Sequence, residues 1–76
     1  MINKELEKLV NTELNRLRKK YTKFSSLHEF WGLFAEESAE LFEQIRKKPH
    51  NRSHRKITEE TIQLIALLKQ MLEDFT

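Results

Sequence analysis

The stretch Ser26–Lys48, SLHEFWGLFAEESAELFEQIRKK, decides the fold. Ser26 followed three residues later by Glu29 is a capping-box pattern: the Ser26 hydroxyl accepts from the Glu29 amide, and the Glu29 carboxylate reaches back to the Ser26 amide. Pro49 supplies a stop, so a helix over about residues 27–48 is predicted. At 100° per residue, Phe30, Phe34, Leu41 and Ile45 form the centre of its buried face, with Trp31, Ser38 and Phe42 on one flank. Glu29, Glu36, Glu40 and Glu43 take the opposite side, and Glu37 falls at the margin of the apolar face. Carboxylates stacked three and four apart repel by a few tenths of a kcal/mol per pair, so a positive group is expected opposite them.

Outward from this stretch lie two more helical patterns. Upstream, Asn3 is the N-cap of a helix over about 4–21, with Leu6, Leu9, Val10, Leu14, Leu17 and Tyr21 on one stripe. Downstream, Pro49–Lys56 reads as a short, polar, basic loop that suits a connection between antiparallel helices. A third helix over about 59–75 is predicted to start from Thr58 as N-cap, with Glu59 and Glu60 in its first turn and Ile57 stapled to Ile62. Its apolar arc, from Ile62 through Leu64, Leu67, Leu68 and Leu72 to Phe75, is wide enough to imply burial on more than one side.

Composition excludes other classes. One Gly and one Pro in 76 residues cannot supply the turns of an all-β fold. The absence of Cys rules out disulfides, thiolate nucleophiles and Cys-based zinc sites. No apolar run reaches the roughly 18 residues of a membrane span, and Met1-Ile2-Asn3-Lys4-Glu5 does not begin a secretory signal. A soluble, cytoplasmic protein with no membrane partner is therefore expected. So short a chain has little core of its own. The expected architecture is all-α: a single helical domain over residues 1–76, its three helices forming an antiparallel bundle completed by homo-oligomerisation, as a homodimer or homotetramer. The net charge of +2 is too small to suggest a dedicated nucleic-acid binder.

Chemistry is sought among the carboxylates. Glu37 and Glu40 are neighbours on one helix, and Glu60 and Gln63 repeat that spacing on the next. Oxygen ligands in this arrangement suit a hard cation such as Mg²⁺, completed by water and phosphate oxygens, although acidic pairs three apart also occur on plain solvated helices. The basic residues Lys23, Arg52, Arg55 and Lys56 are candidates for phosphate contacts. Trp31 offers a face on which a nucleotide base could stack, but its place beside Phe30 and Phe34 also suits a core or an interface. His50 and His54 read as part of the basic loop, and His28 as a first-turn helix residue.

The segment Leu33-Phe34-Ala35-Glu36-Glu37-Ser38-Ala39-Glu40-Leu41 resembles the acidic signature of the MazG-like, all-α nucleoside triphosphate pyrophosphohydrolases, including their short phage and bacterial members. In that superfamily an ExxE pair on one helix is followed by an ExxD pair on the next. Here Glu37-x-x-Glu40 is followed, after 19 intervening residues, by Glu60-x-x-Gln63. The resemblance spans about residues 22–75. It implies a bundle of associated subunits, Mg²⁺ held by Glu37, Glu40, Glu60 and Gln63, with Glu36 as a further ligand or as the catalytic base, and cleavage of NTP or dNTP to NMP and pyrophosphate. Gln63 stands where the pattern has Asp, and its uncharged amide oxygen should weaken the site or silence it. Asp74 cannot substitute, being about 21 Å along the same helix from Glu60. Two other readings remain: a non-catalytic helical interaction or regulatory module using the same bundle, and a small nucleic-acid binder acting through the basic loop.

Overall fold

The computed structural model describes residues 3–76. They form three helices, α1 (Lys4–Lys20), α2 (Leu27–Ile45) and α3 (His54–Phe75), with a 3₁₀ turn at Pro49–Asn51. No strand occurs among the described residues, as the all-α expectation requires. Met1 and Ile2, which begin both the expected domain and the stretch read against a signal sequence, lie outside the described residues.

The caps explain where α1 and α2 begin. Asn3 Oδ1 accepts from the Leu6 amide at 2.7 Å, and Ser26 Oγ accepts from the Glu29 amide at 3.1 Å, each satisfying a donor that has no partner inside its helix. The capping box differs in its return bond: Glu29 Oε1 accepts from the Ser25 amide at 2.7 Å, one residue before the expected Ser26.

Two helix boundaries also correct the sequence reading. α2 ends at Ile45 rather than near Lys48, because the residue before a proline is driven into extended backbone. Lys48 has φ −59° and ψ 146°, so the chain must leave the helix before it gets there. Arg52 Nε then donates to the Ile45 carbonyl at 2.9 Å, covering one acceptor left open at the helix end. α3 starts at His54 rather than near residue 59. Its N-cap is Ser53, whose Oγ accepts from the Lys56 amide at 3.2 Å. Thr58 is inside the helix, so the proposed staple and the first-turn position of Glu59 and Glu60 do not hold. Basic residues are good helix formers, and the run His54-Arg55-Lys56 looked like loop only for want of apolar periodicity.

α3 is the central element and packs on both α1 and α2. The core comprises Val10, Leu14 and Leu17 from α1, Phe24 from the connection, Phe30 from α2, and Ala66 and Leu67 from α3. Each of the six larger side chains contributes about 1.5–3 kcal/mol and Ala66 less, a small total for a free-standing domain. On α2 the buried face is turned toward Glu37 relative to expectation. Phe30 is buried and Phe34 and Leu41 are half-buried, but Ile45 is 44% exposed, and Trp31 and Phe42 are each 61% exposed. One chain has too few helices to cover the whole aromatic stripe.

A polar clasp sets the position of α2 on α3. Gln70, fully buried, donates from Nε2 to the Tyr21 carbonyl at 2.8 Å, which holds the end of α1. Asp74 accepts from Arg18 Nη1 at 2.7 Å and from the Phe24 amide at 3.1 Å, while Arg18 Nη2 reaches Glu73 Oε1 at 2.8 Å. Phe24 meets Phe30 edge-on with ring centroids 5.6 Å apart, so the start of α2 is fixed near the end of α3. The middle of α2 is thereby carried alongside Glu60.

Candidate metal centre

Three carboxylates from two helices converge. Glu37 and Glu40 on α2 and Glu60 on α3 each offer an oxygen, and these oxygens all lie within 4.8 Å of one another. Helical spacing explains the first pair, since residues three apart stand one above the other. The clasp at the far end of α3 explains the third member, because it sets the height at which α2 crosses Glu60.

The electrostatics of the group are unfavourable as it stands. Glu37 Oε2 and Glu60 Oε2 are buried without a hydrogen-bond partner. Burial, a hydrogen bond shared with Glu40, and the charges of Glu40 and Glu60 push the Glu37 carboxyl up to about 7, with Arg16 opposing. Glu60 is also raised, by burial first and then by Glu40, and Lys56 opposes. Like charges so close cannot all remain ionised without a counter-charge, and either a proton or a cation meets that need. Three converging carboxylates, two of which carry a buried and unpartnered oxygen, fit a hard divalent cation.

The other sequence-derived site residues are distributed unevenly around this group. Gln63 is half-buried one turn beyond Glu60. Glu36 is exposed and is not among the converging carboxylates. Near the start of α3, Lys56 acts on Glu60, Arg55 pairs with Glu59 at 3.4 Å, and Arg52 is engaged with the Ile45 carbonyl. Lys23 acts on Asp74 instead, at the opposite end of α3. Trp31 is tilted against Phe34 with centroids 5.7 Å apart and leaves most of its surface open. His50 lies in the 3₁₀ turn, and His54 is the first residue of α3; both are exposed, as is His28.

No family model, no curated protein and no solved structure matches the chain.

Sequence reasoning missed the part played by α1. Arg16 is held by Glu13 through Nε, at 3.0 Å to both carboxylate oxygens, and its charge reaches Glu37. It offsets Glu37, which lies outside the stripe of Glu29, Glu36, Glu40 and Glu43 for which a positive partner was expected. The Glu13–Arg16 spacing was visible as a helical pair, but nothing in the sequence indicated that the charge of Arg16 reaches Glu37. An open cleft of about 210 Å³ lies between α1 and α3, lined by Leu9, Thr12, Glu13, Glu59 and Ile62, none of them among the three converging carboxylates.

Proposed function

We propose that this protein is a Mg²⁺-dependent nucleoside triphosphate pyrophosphohydrolase of the MazG-like type, cleaving NTP or dNTP to NMP and pyrophosphate, with activity reduced by Gln63. The observation that carries the reading is the meeting of Glu37, Glu40 and Glu60 within 4.8 Å. The choice of nucleotide as substrate rests on the resemblance of the segment around Glu36-Glu37 and Glu40 to that superfamily.

In this reading Glu37, Glu40 and Glu60 hold Mg²⁺, with the Gln63 amide oxygen as a neutral fourth contact. The ion supplies charge neutralisation at the phosphates and lowers the pKa of an attacking water. Arg55 and Lys56, on the first turn of α3, offset charge on the phosphates, and Arg52 joins them by exchanging its bond to the Ile45 carbonyl. Glu36, exposed and free of the cluster, serves as base from the solvent side. Trp31 stacks the base. Lys23, near Asp74, is outside this set.

The same reading has α2 and α3 antiparallel, supported by Glu37 beside Glu60 and by Phe24 beside Asp74. It also has the subunits associate as a homodimer or homotetramer in the cytoplasm.

The test is incubation with a panel of nucleoside triphosphates and Mg²⁺. Pyrophosphate release that is lost in Glu40→Gln and Glu60→Gln supports the proposal. No turnover of any of them, together with no Mg²⁺-dependent rise in melting temperature, overturns it. The exposed Trp31 and Phe42 favour a second reading, a non-catalytic interaction module, for which assembly without turnover is the expected result.

A further inference from the structure

The net charge of +2 hides a segregation of charge along the chain. Of the 14 Lys and Arg residues, six lie within residues 46–56, a span with no Asp or Glu, and all 12 acidic residues lie among the other eight basic ones. The span is the turn from α2 into α3, so it occupies the end of the molecule opposite the clasp between Arg18 and Asp74. All six basic side chains are exposed, as is Asn51 between them.

The turn is ordered. The Asn51 amide donates to the Lys48 carbonyl at 2.8 Å, the Arg52 amide to the Pro49 carbonyl at 3.3 Å, and Arg52 Nε to the Ile45 carbonyl at 2.9 Å. Among the described residues two carboxylates pair with the group: Glu43 lies 3.3 Å from Arg46, and Glu59 lies 3.4 Å from Arg55. All four of these side chains are more than half exposed, so solvent screens the pairs and another anion can exchange for them. Lys47, Lys48, Arg52 and Lys56 form no ion pair among the described residues. The placement also works against the fold. His54, Arg55 and Lys56 take the first turn of α3, the positive end of its dipole, where α1 carries Glu5 and Glu7 and α2 carries Glu29.

We propose that this turn docks the phosphate backbone of a nucleic acid, with Lys47, Lys48, Arg52 and Lys56 as the phosphate contacts and Asn51 as an uncharged donor. The chemistry of the span selects the partner. Its single apolar residue is Pro49, so it offers no anchor to a lipid surface, which is bound through buried apolar area as well as charge, and no apolar centre for a protein interface. A phosphodiester chain needs only cations and polar donors. The exposed Glu36 and Glu43 of α2 repel the same polymer, which confines contact to the turn and makes it a backbone contact rather than a reading of bases. The proposal uses neither metal binding nor turnover, so it stands if the hydrolase reading fails.

The test is fluorescence anisotropy of labelled duplex DNA, single-stranded DNA and single-stranded RNA, without Mg²⁺. Binding at about 50 mM salt should fall steeply as salt is added; for the duplex the log–log slope should be about −3 to −4, since each neutralised phosphate contributes about −0.9. Lys47→Gln with Lys48→Gln should weaken binding about tenfold and make the slope shallower by about 2. Lys19→Gln with Lys20→Gln, the same charge change on exposed residues at the opposite end, should leave both unchanged. The proposal is overturned by no binding of any of the three probes at about 50 mM salt, whether or not vesicles of phosphatidylserine and phosphatidylcholine are bound, or by equal weakening in the two double variants. If either variant loses its helical circular dichroism, the wild-type titration decides: a duplex slope shallower than about −2 rejects the proposal.

Discussion

Arg18 Nη1 lies 2.7 Å from Asp74 Oδ1, joining the last turn of α1 to the last turn of α3. The Asp74 side chain is only 5% exposed, and its other oxygen accepts from the Phe24 amide. Burial alone would raise this carboxyl, but the hydrogen bonds from Arg18 and Phe24 and the charges of Arg18 and Lys23 hold it below its ordinary value. Asp74→Ala should therefore cost about 1–3 kcal/mol, chiefly because it leaves the Phe24 amide without its acceptor, while Arg18 keeps its bond to Glu73. Because the folded-state pKa is lowered, this stabilisation is complete above the unfolded value and is lost as pH falls through the folded one. Denaturant melts of wild type and variant between pH 2 and pH 7 should converge at the acid end.

Glu37 predicts the opposite slope. Its carboxyl is raised to about 7, so the folded state holds the proton more tightly than the unfolded chain. Stability from this group is fully present below the unfolded value and is lost as pH rises through about 7. The metal-free protein should be more stable at pH 5 than at pH 8 by about 1 kcal/mol after screening by solvent, and should melt at a correspondingly higher temperature at pH 5. Glu37→Gln should flatten that dependence, and Mg²⁺ at pH 8 should restore the melting temperature of the wild type only.

Gln63→Asp restores a charged oxygen one turn from Glu60. A fourth carboxylate should tighten Mg²⁺ binding about tenfold, read by calorimetry, while lowering the melting temperature of the metal-free protein through added repulsion. An unchanged affinity would mean that position 63 does not face the ion.

The start of α3 can be checked at two residues. Ser53→Ala removes the observed cap and should cost about 1 kcal/mol, whereas Thr58→Ala, inside the helix and exposed, should change stability by under about 0.5 kcal/mol. Urea unfolding followed by circular dichroism distinguishes them; equal costs would return the N-cap to Thr58.

Helix number and type were legible because Leu9–Tyr21, Phe30–Ile45 and Ile62–Phe75 carry unbroken apolar periodicity, and because Asn3 and Ser26 are strong caps. The Glu37–Glu40 pair was legible for a related reason, since spacing along one helix is local information. That Glu60 joins them depends on the height at which α2 crosses α3. That height is set by Gln70, Asp74 and Phe24, residues distant from the site and polar or aromatic in ways that do not announce a partner. The exposure of Trp31 and Phe42 was hidden for another reason. An apolar stripe indicates that burial is wanted, not whether the same chain supplies it.

The clasp at Gln70 and Asp74 has a consequence for the order of events during synthesis. Tyr21 and Arg18 are held by groups 49 and 56 residues later in the chain. While a ribosome is still making the middle of the protein, α1 has its apolar stripe but nothing to dock against, because α1 packs on α3 and the α2 contacts are on the far side. The nascent N-terminal helix must therefore wait, exposed, until α3 emerges. Docking of α1 therefore requires α3, and burial of Val10, Leu14 and Leu17 is a long-range event rather than one that spreads from helix to neighbouring helix along the chain.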